Sequence, residues 1–422
     1  MVDWRKALLA LAWAAPGAFA QAQSLDVLLE RTVSTHPSVQ GQRSQQAVAA
    51  SELDYARQQF FPTASVSLEQ VNASSRDPSY LQNATVNIFR LQQPVWTHGR
   101  LDAGMDKARA SADMADQNYD DVRQQLALRV LQAWADAFGA ELKQAALQTS
   151  VASHERLQAQ VSRRIADGAS AQTEKVLTDG RLAQTRAQLQ AMAVQAQTAR
   201  MRLEQLTGTP VASALVRSQE RELPAMDAAQ VVDASLQRSP AVRRLQAAVR
   251  LQEADVLERK SELLPEVYAR AEYQIGNAAV ANAPDAQRLF VGFQSKLGAG
   301  LSSFSGVEAS QNKVAVAQAE VENAKRTLAE QVLSDWSQLA SMKARQAELE
   351  GSLQASRETA QAWDRQFLAG RKTWLEVMNG ARELAQAETE LADVVVARVL
   401  LSWRMALYTQ GLESLLPGTR TP

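Results

Sequence analysis

The chain has 422 residues, no cysteine, and 45 basic against 46 acidic side chains, for a net charge of −1. The missing cysteines exclude disulfides, thiolate metal sites and a lipid-modified N-terminal cysteine. The balanced charge gives no support for nucleic-acid binding.

Residues 1–20 predict a secretory signal. Arg5 and Lys6 supply the positive start, Ala7 to Ala15 a short apolar core, and Ala18-Phe19-Ala20 a small-x-small cleavage site ahead of Gln21. No stretch of about 18 consecutive apolar residues follows, so a membrane position would require a β-barrel, whose alternating strands leave little hydropathy trace. Ser24 to Gln59 reads as one helix, broken by Pro62. Ala64, Val66 and Leu68 then alternate with Ser65, Ser67 and Glu69, the period of a strand. A polar loop, Asn72 to Asn83, leads to a second strand over Thr85 to Val95, which exits at Pro94 and Gly99. From Arg100 to Ile165 a helical pattern runs on, with only Gly104 and Gly139 as weak points. Asp167-Gly168-Ala169-Ser170 predicts a turn, and Ala171 to Thr207 a returning helix with Leu182, Leu189 and Leu203 at multiples of seven.

The same order follows again. Val267, Ala269, Ala271, Tyr273 and Ile275 alternate with Glu266, Tyr268, Arg270, Glu272 and Gln274. After a loop over Gly276 to Ala286, a last strand is predicted from Arg288 through Leu297 and Ala299 to Leu301. Runs of about ten residues are the length a tilted strand needs to cross a bilayer. A helix from Val307 to Leu368 carries Val314, Val321 and Leu328 on a repeat of seven. Such a helix, at about 1.5 Å per residue, makes a rod of roughly 90 Å. Ala369-Gly370-Arg371-Lys372 predicts a turn, Thr373 to Gln410 a helix, and the residues after Gly411 a loose tail.

The chain is therefore written twice. Phe61-Pro62 and Leu264-Pro265 are 203 residues apart, as are His36-Pro37 and Ser239-Pro240. Val130 to Trp134 returns as Val332 to Trp336 at an offset of 202, which also relates Gly168 to Gly370 and Glu174 to Glu376. A nearly constant offset means two copies of one structural unit. The expected organisation is a signal over 1–20, a first repeat over 24–210, a second over 225–411 and a tail over 412–422.

Four strands cannot close a barrel, since barrels start at about eight, and open edges in lipid cost several kcal/mol per unsatisfied group. Several chains must pool their strands, and three would supply twelve. The long helices have narrow apolar seams flanked by Ala, Gln, Arg and Asp, which suits a ring of helices around water.

These residues resemble the TolC family of bacterial outer-membrane efflux and secretion channels, over Ser24 to Gln410. The resemblance rests on the doubled unit, the Phe60-Phe61-Pro62 lead into the first strand, the turns at Gly168 and Gly370, and Leu206-Thr207-Gly208. It implies a mainly α fold with a β-barrel part: a homotrimer with four transmembrane strands and long periplasmic helices per chain. It places the loops 72–83 and 276–286 outside the cell and the turns 167–173 and 369–375 at the inner end. There it implies a periplasmic adaptor and an inner-membrane ABC or other pump as partners, besides outer-membrane lipid, with no cofactor. Gly168, Ala169, Ser170, Gly370, Arg371 and Trp374 are the implied turn and adaptor contacts. The family's acidic gate pattern maps onto Gly370, Lys372, Glu376 and Asn379. Glu376 matches the first acidic position, Glu174 its equivalent in the first copy, and Asn379 departs from the second. Glu376 also suits a plain helix-start carboxylate, and Trp374, an aromatic at helical spacing, suits the helix seam. Phe367 to Val377 resembles the branch that serves type I secretion of large adhesins.

No enzyme chemistry is legible. His36, His98 and His154 stand in separate segments, and Gly298-Ala299-Gly300 lacks the lysine and helix of a phosphate loop. The expected function is the passive exit duct of a type I secretion system, with the outlet of a multidrug or small-molecule efflux pump as the alternative. A soluble coiled-coil envelope protein is the other class, and the paired strands argue against it.

Overall fold

The computed structural model describes residues 24–74, 77, 79–81, 83–211, 218–295 and 302–416. The expected signal, the strand positions Leu297, Ala299 and Leu301, and Gly298-Ala299-Gly300 lie outside the described residues.

Twelve elements among the described residues run in the order α-α-β-β-α-α, twice: α1 (Leu25–Thr35), α2 (Pro37–Gln58), β1 (Thr63–Asn72), β2 (Asn83–Trp96), α3 (Arg100–Ala166) and α4 (Gln172–Thr207), then α5 (Ala228–Arg238), α6 (Pro240–Glu262), β3 (Glu266–Ile275), β4 (Ala286–Gln294), α7 (Ser302–Leu368) and α8 (Trp374–Gln410). Three expectations change. The single helix over 24–59 is two, because Pro37 pushes His36 out of the helical region, to φ −63 and ψ 136. Ser239 does the same before Pro240, and its hydroxyl caps α6 by accepting from the Val242 N–H. Helix α7 starts at Ser302, five residues before the predicted Val307. The described part of the tail is not loose: a 3₁₀ turn over Glu413–Leu415 leaves Leu415 and Leu416 buried, and Arg221 donates to the Leu415 carbonyl.

The described residues form two compact units that cut across the repeats: those within 1–36, 126–225 and 334–422 in one, those within 37–125 and 226–333 in the other. The first is helical. Its core holds Leu28, Leu29, Val130, Leu131, Trp134, Leu203, Met405 and Leu407, with Trp134 stacked on Phe138 at 5.1 Å. A buried charge there is paired, Asp335 with Arg404 at 2.9 Å, which avoids the cost of an isolated carboxylate.

The second unit carries the sheet, an antiparallel meander β1-β2-β3-β4. Its central pair joins the two copies, with Phe89 opposite Tyr273 and Arg90 opposite Glu272. Successive side chains alternate between faces. One face bears Val66, Leu68, Phe89, Leu91, Tyr273, Leu289, Val291 and Phe293. It is the more exposed face: Leu289, Val291 and Phe293 are 77–80% exposed. The other face is the more shielded one: Arg90, Arg270 and Glu272 are half-buried there, while Ser65 and Arg288 remain exposed. A sheet in water has the opposite arrangement, apolar in and polar out. Helices α3, α6 and α7 are tied within this unit by Asp255, which accepts from Lys107, Arg259 and Ser310.

Candidate functional site

Both interhelical turns are built alike. Helix α3 ends in a left-handed Gly168 at φ 72, with the Gly168 N–H donating to Ile165 O and the Ala169 N–H to Arg164 O. Helix α7 ends in Gly370 at φ 73, with the Gly370 N–H donating to Phe367 O and Arg371 N–H to Gln366 O. Each pair of bonds is a Schellman cap, which only a residue free of Cβ strain enters readily. Gly168, Ala169, Gly370 and Arg371 are exposed, while Ser170 is half-buried.

Under the turns lies an apolar cluster of Leu157, Val161, Phe367, Trp374, Val377 and Met378, with Ile165 and Trp363 against it. Trp374 is buried, 9% exposed, so its ring belongs to the packing of α8. Arg164 clamps the two turns together. It donates to Phe367 O at 3.0 Å, and its guanidinium sits 4.9 Å over the Phe367 ring. Gly380 lets α8 approach α7, since a Cβ there would fall 2.9 Å from the Trp363 ring.

Glu376 stands at the third position of α8 and is held by its own turn. Thr373 and Glu376 form a reciprocal capping box: the Thr373 hydroxyl accepts from the Glu376 N–H, and Glu376 Oε2 accepts from the Thr373 N–H at 2.9 Å. Lys372 donates to Glu376 Oε1 at 2.6 Å, and its ammonium lies 5.1 Å from the centre of the Trp363 ring. The Lys372 hydrogen bond, then those from the Thr373 N–H and hydroxyl, hold the Glu376 carboxyl at about 2, below the ordinary 4.5. Asn379 is half-buried in a groove with Trp374, Leu375, Arg181 and Arg382. Glu174 begins α4 at the matching place, behind Ala171, which supplies no side-chain cap.

Residues 28–209 match the family described as outer membrane efflux protein. The match covers less than half of the chain and marks a likeness to that family over those residues. The fold agrees. The *Vibrio cholerae* outer membrane protein VceC superposes with a TM-score of 0.79 at 14% identity, covering 92% of this chain and 96% of that one. The open state of the *Neisseria gonorrhoeae* MtrE outer membrane channel gives 0.77 at 15% identity, covering 94% and 91%. The outer-membrane channel OprN gives 0.77 at 18% identity, covering 92% and 89%. No curated protein sequence matches the chain.

The proteins it is similar to are outer membrane efflux proteins and outer-membrane channels. Among the described residues, no three His, Cys, Asp or Glu side chains are grouped to hold a metal ion. Sequence reasoning missed Arg164, Trp363 and Phe367. Trp363 matches Val161, and Phe367 matches Ile165, at the same offset of 202 that relates the turns. Following that offset one turn back from each glycine would have found the cluster.

Proposed function

We propose that three copies of this chain form the exit duct of a type I secretion system, passive and powered by an inner-membrane partner. The observation that carries the duct is the inverted sheet. Its apolar face is the exposed one, and β1 and β4 are free edges that run in opposite directions. The β4 edge of one copy can therefore continue antiparallel into β1 of the next, and three copies close a ring of twelve strands with no edge left in lipid. Exposed apolar side chains on the helices favour neighbours as well: Val176, Leu177, Val194 and Met201 on α4, and Val316 and Leu368 on α7.

In this reading residues 1–20 direct export, and the two repeats, 24–210 and 225–411, contribute one half each to every protomer. The turns meet a periplasmic adaptor through Gly168, Ala169, Ser170, Gly370 and Arg371, with Trp374 supporting them from beneath. Lys372, Glu376, Asn379 and Glu174 line the inner mouth. Glu376→Ala then leaves Lys372 uncompensated and lowers the cation preference of single channels in planar bilayers, with assembly intact. An unchanged ratio of cation to anion permeability would remove Glu376 from the mouth.

The type I assignment rests on the resemblance of Phe367 to Val377. The competing efflux reading is favoured by the family description itself. A deletion strain separates them, scored by mass spectrometry of surface and secreted proteins beside drug susceptibility. Loss of one very large surface protein with drug tolerance intact supports secretion; drug hypersensitivity with normal secretion supports efflux. Release of the protein by osmotic shock, without detergent, would instead make it a soluble envelope protein.

A further inference from the structure

Three arginines converge on one carboxylate on the shielded face of the sheet. Strand pairing sets Ser65, Arg90, Glu272 and Arg288 side by side across all four strands, and Arg270 lies two residues from Glu272 on the same face. Glu272 Oε2 is 3.3 Å from Arg90 Nε and 3.9 Å from Arg270 Nε, and its Oε1 is 3.6 Å from Arg288 Nη1. Two of the cations are also positioned by something else. Arg288 donates to Gln274 Oε1 at 2.7 Å. Arg270 lies 4.5 Å over the Phe290 ring and 5.8 Å from that of Tyr268. Gly292 makes room for Tyr268, since a Cβ there would meet the phenol oxygen at 2.6 Å. Arg270 Nε is buried and makes no hydrogen bond.

The charge does not balance. One Glu272 faces three guanidiniums, and guanidinium stays charged at any physiological pH. The other acidic residues of the described strands on this face do not offset the surplus. Glu266 is already paired with Arg100 at 2.9 Å. Glu69 is four residues beyond Ser65 along β1, about 13 Å away, which exceeds a Debye length of about 8 Å at physiological salt. The band therefore carries two uncompensated positive charges per chain.

We infer that this band is an anion-selecting segment of the channel, one that draws in solutes bearing carboxylate or phosphate groups. The inference rests on the three-copy barrel proposed above, which turns the shielded face into the lumen wall and repeats the band three times around it. Guanidinium forks match both anions, and a narrow wall of one sign raises the local concentration of the opposite charge.

The test is the reversal potential of the full chain in planar bilayers under a potassium chloride gradient. In Arg270→Gln/Arg288→Gln the ratio of chloride to potassium permeability falls about threefold or more. In Glu272→Gln it rises, and in Arg270→Lys/Arg288→Lys it stays near the wild-type value. Open channels whose ratio is the same in the wild type, the double glutamine variant and Glu272→Gln would overturn the inference. Should the double glutamine variant fail to assemble, Glu272→Gln decides alone, by the rise or its absence. A wild-type chain that gives no channels would instead bring down the barrel, and this inference with it; that failure reads as missing conductance, not altered selectivity.

Discussion

At the residue scale, the end of α7 and the start of α8 carry the most local information. Glu376 is held low by Lys372 and by the Thr373 N–H and hydroxyl, so its contribution to the turn has a definite pH window. A depressed carboxyl stabilises the folded turn fully above its ordinary value of 4.5, and that contribution is lost as pH falls toward about 2. We expect amide exchange in the first turn of α8, corrected for intrinsic rates, to stay protected down to about pH 4.5 and to lose protection below it. Glu376→Gln should flatten that dependence; an acid profile identical to wild type would contradict the capping role. Gly370 makes a different point. No atom outside the turn lies within 4 Å of a Cβ built on it, so crowding does not demand glycine; its φ of 73 does. A valine there should cost about 1–2 kcal/mol in the turn and weaken adaptor docking, whereas asparagine, which tolerates the left-handed region, should cost less. Full export by Gly370→Val would count against a docking role for this turn.

At the element scale, the strands are where pattern and structure agree best. Period-two alternation over residues 64–69 and 266–275 placed β1 and β3 nearly where they lie, because a one-residue slip would exchange the faces entirely. The helix breaks were harder to read. A Pro near a helix start is as compatible with N1 of a new helix as with the middle of a bent one, and only the extended His36 and Ser239 decide for the former. The two faces of the sheet also predict opposite responses to charge. Leu289→Arg, on the exposed apolar face, should cost about 2–4 kcal/mol if the position lies near the bilayer midplane, and reduce the assembled protein recovered from outer membranes. Ser65→Arg, on the polar face, should assemble normally. Equal recovery of the two variants would contradict the assignment of faces.

At the scale of the whole molecule, the free edges of β1 and β4 are the feature that a single chain cannot resolve. The chain has no cysteine, so introduced pairs report without background. Val66→Cys combined in turn with Leu289→Cys, Val291→Cys or Phe293→Cys should give disulfide-linked dimers and trimers in oxidised outer membranes from at least one combination. Monomer alone from all three would argue against edge-to-edge closure. The same arithmetic of strands made an oligomer expected from sequence, since four strands fall short of any closed barrel.

The sequence by itself determined the doubled order of elements, the two glycine turns and the alternating strands, because each is a local or periodic property. It did not determine that Glu376 would be captured by Thr373 and Lys372, that Arg164 would bridge to Phe367, or that Arg90, Arg270 and Arg288 would surround Glu272. The capture of Glu376 is legible only as one option among several at a helix start. The other two join residues about 200 positions apart or on different strands, and only the register of β2 and β4 on β3 and the packing of α3 against α7 bring them within reach.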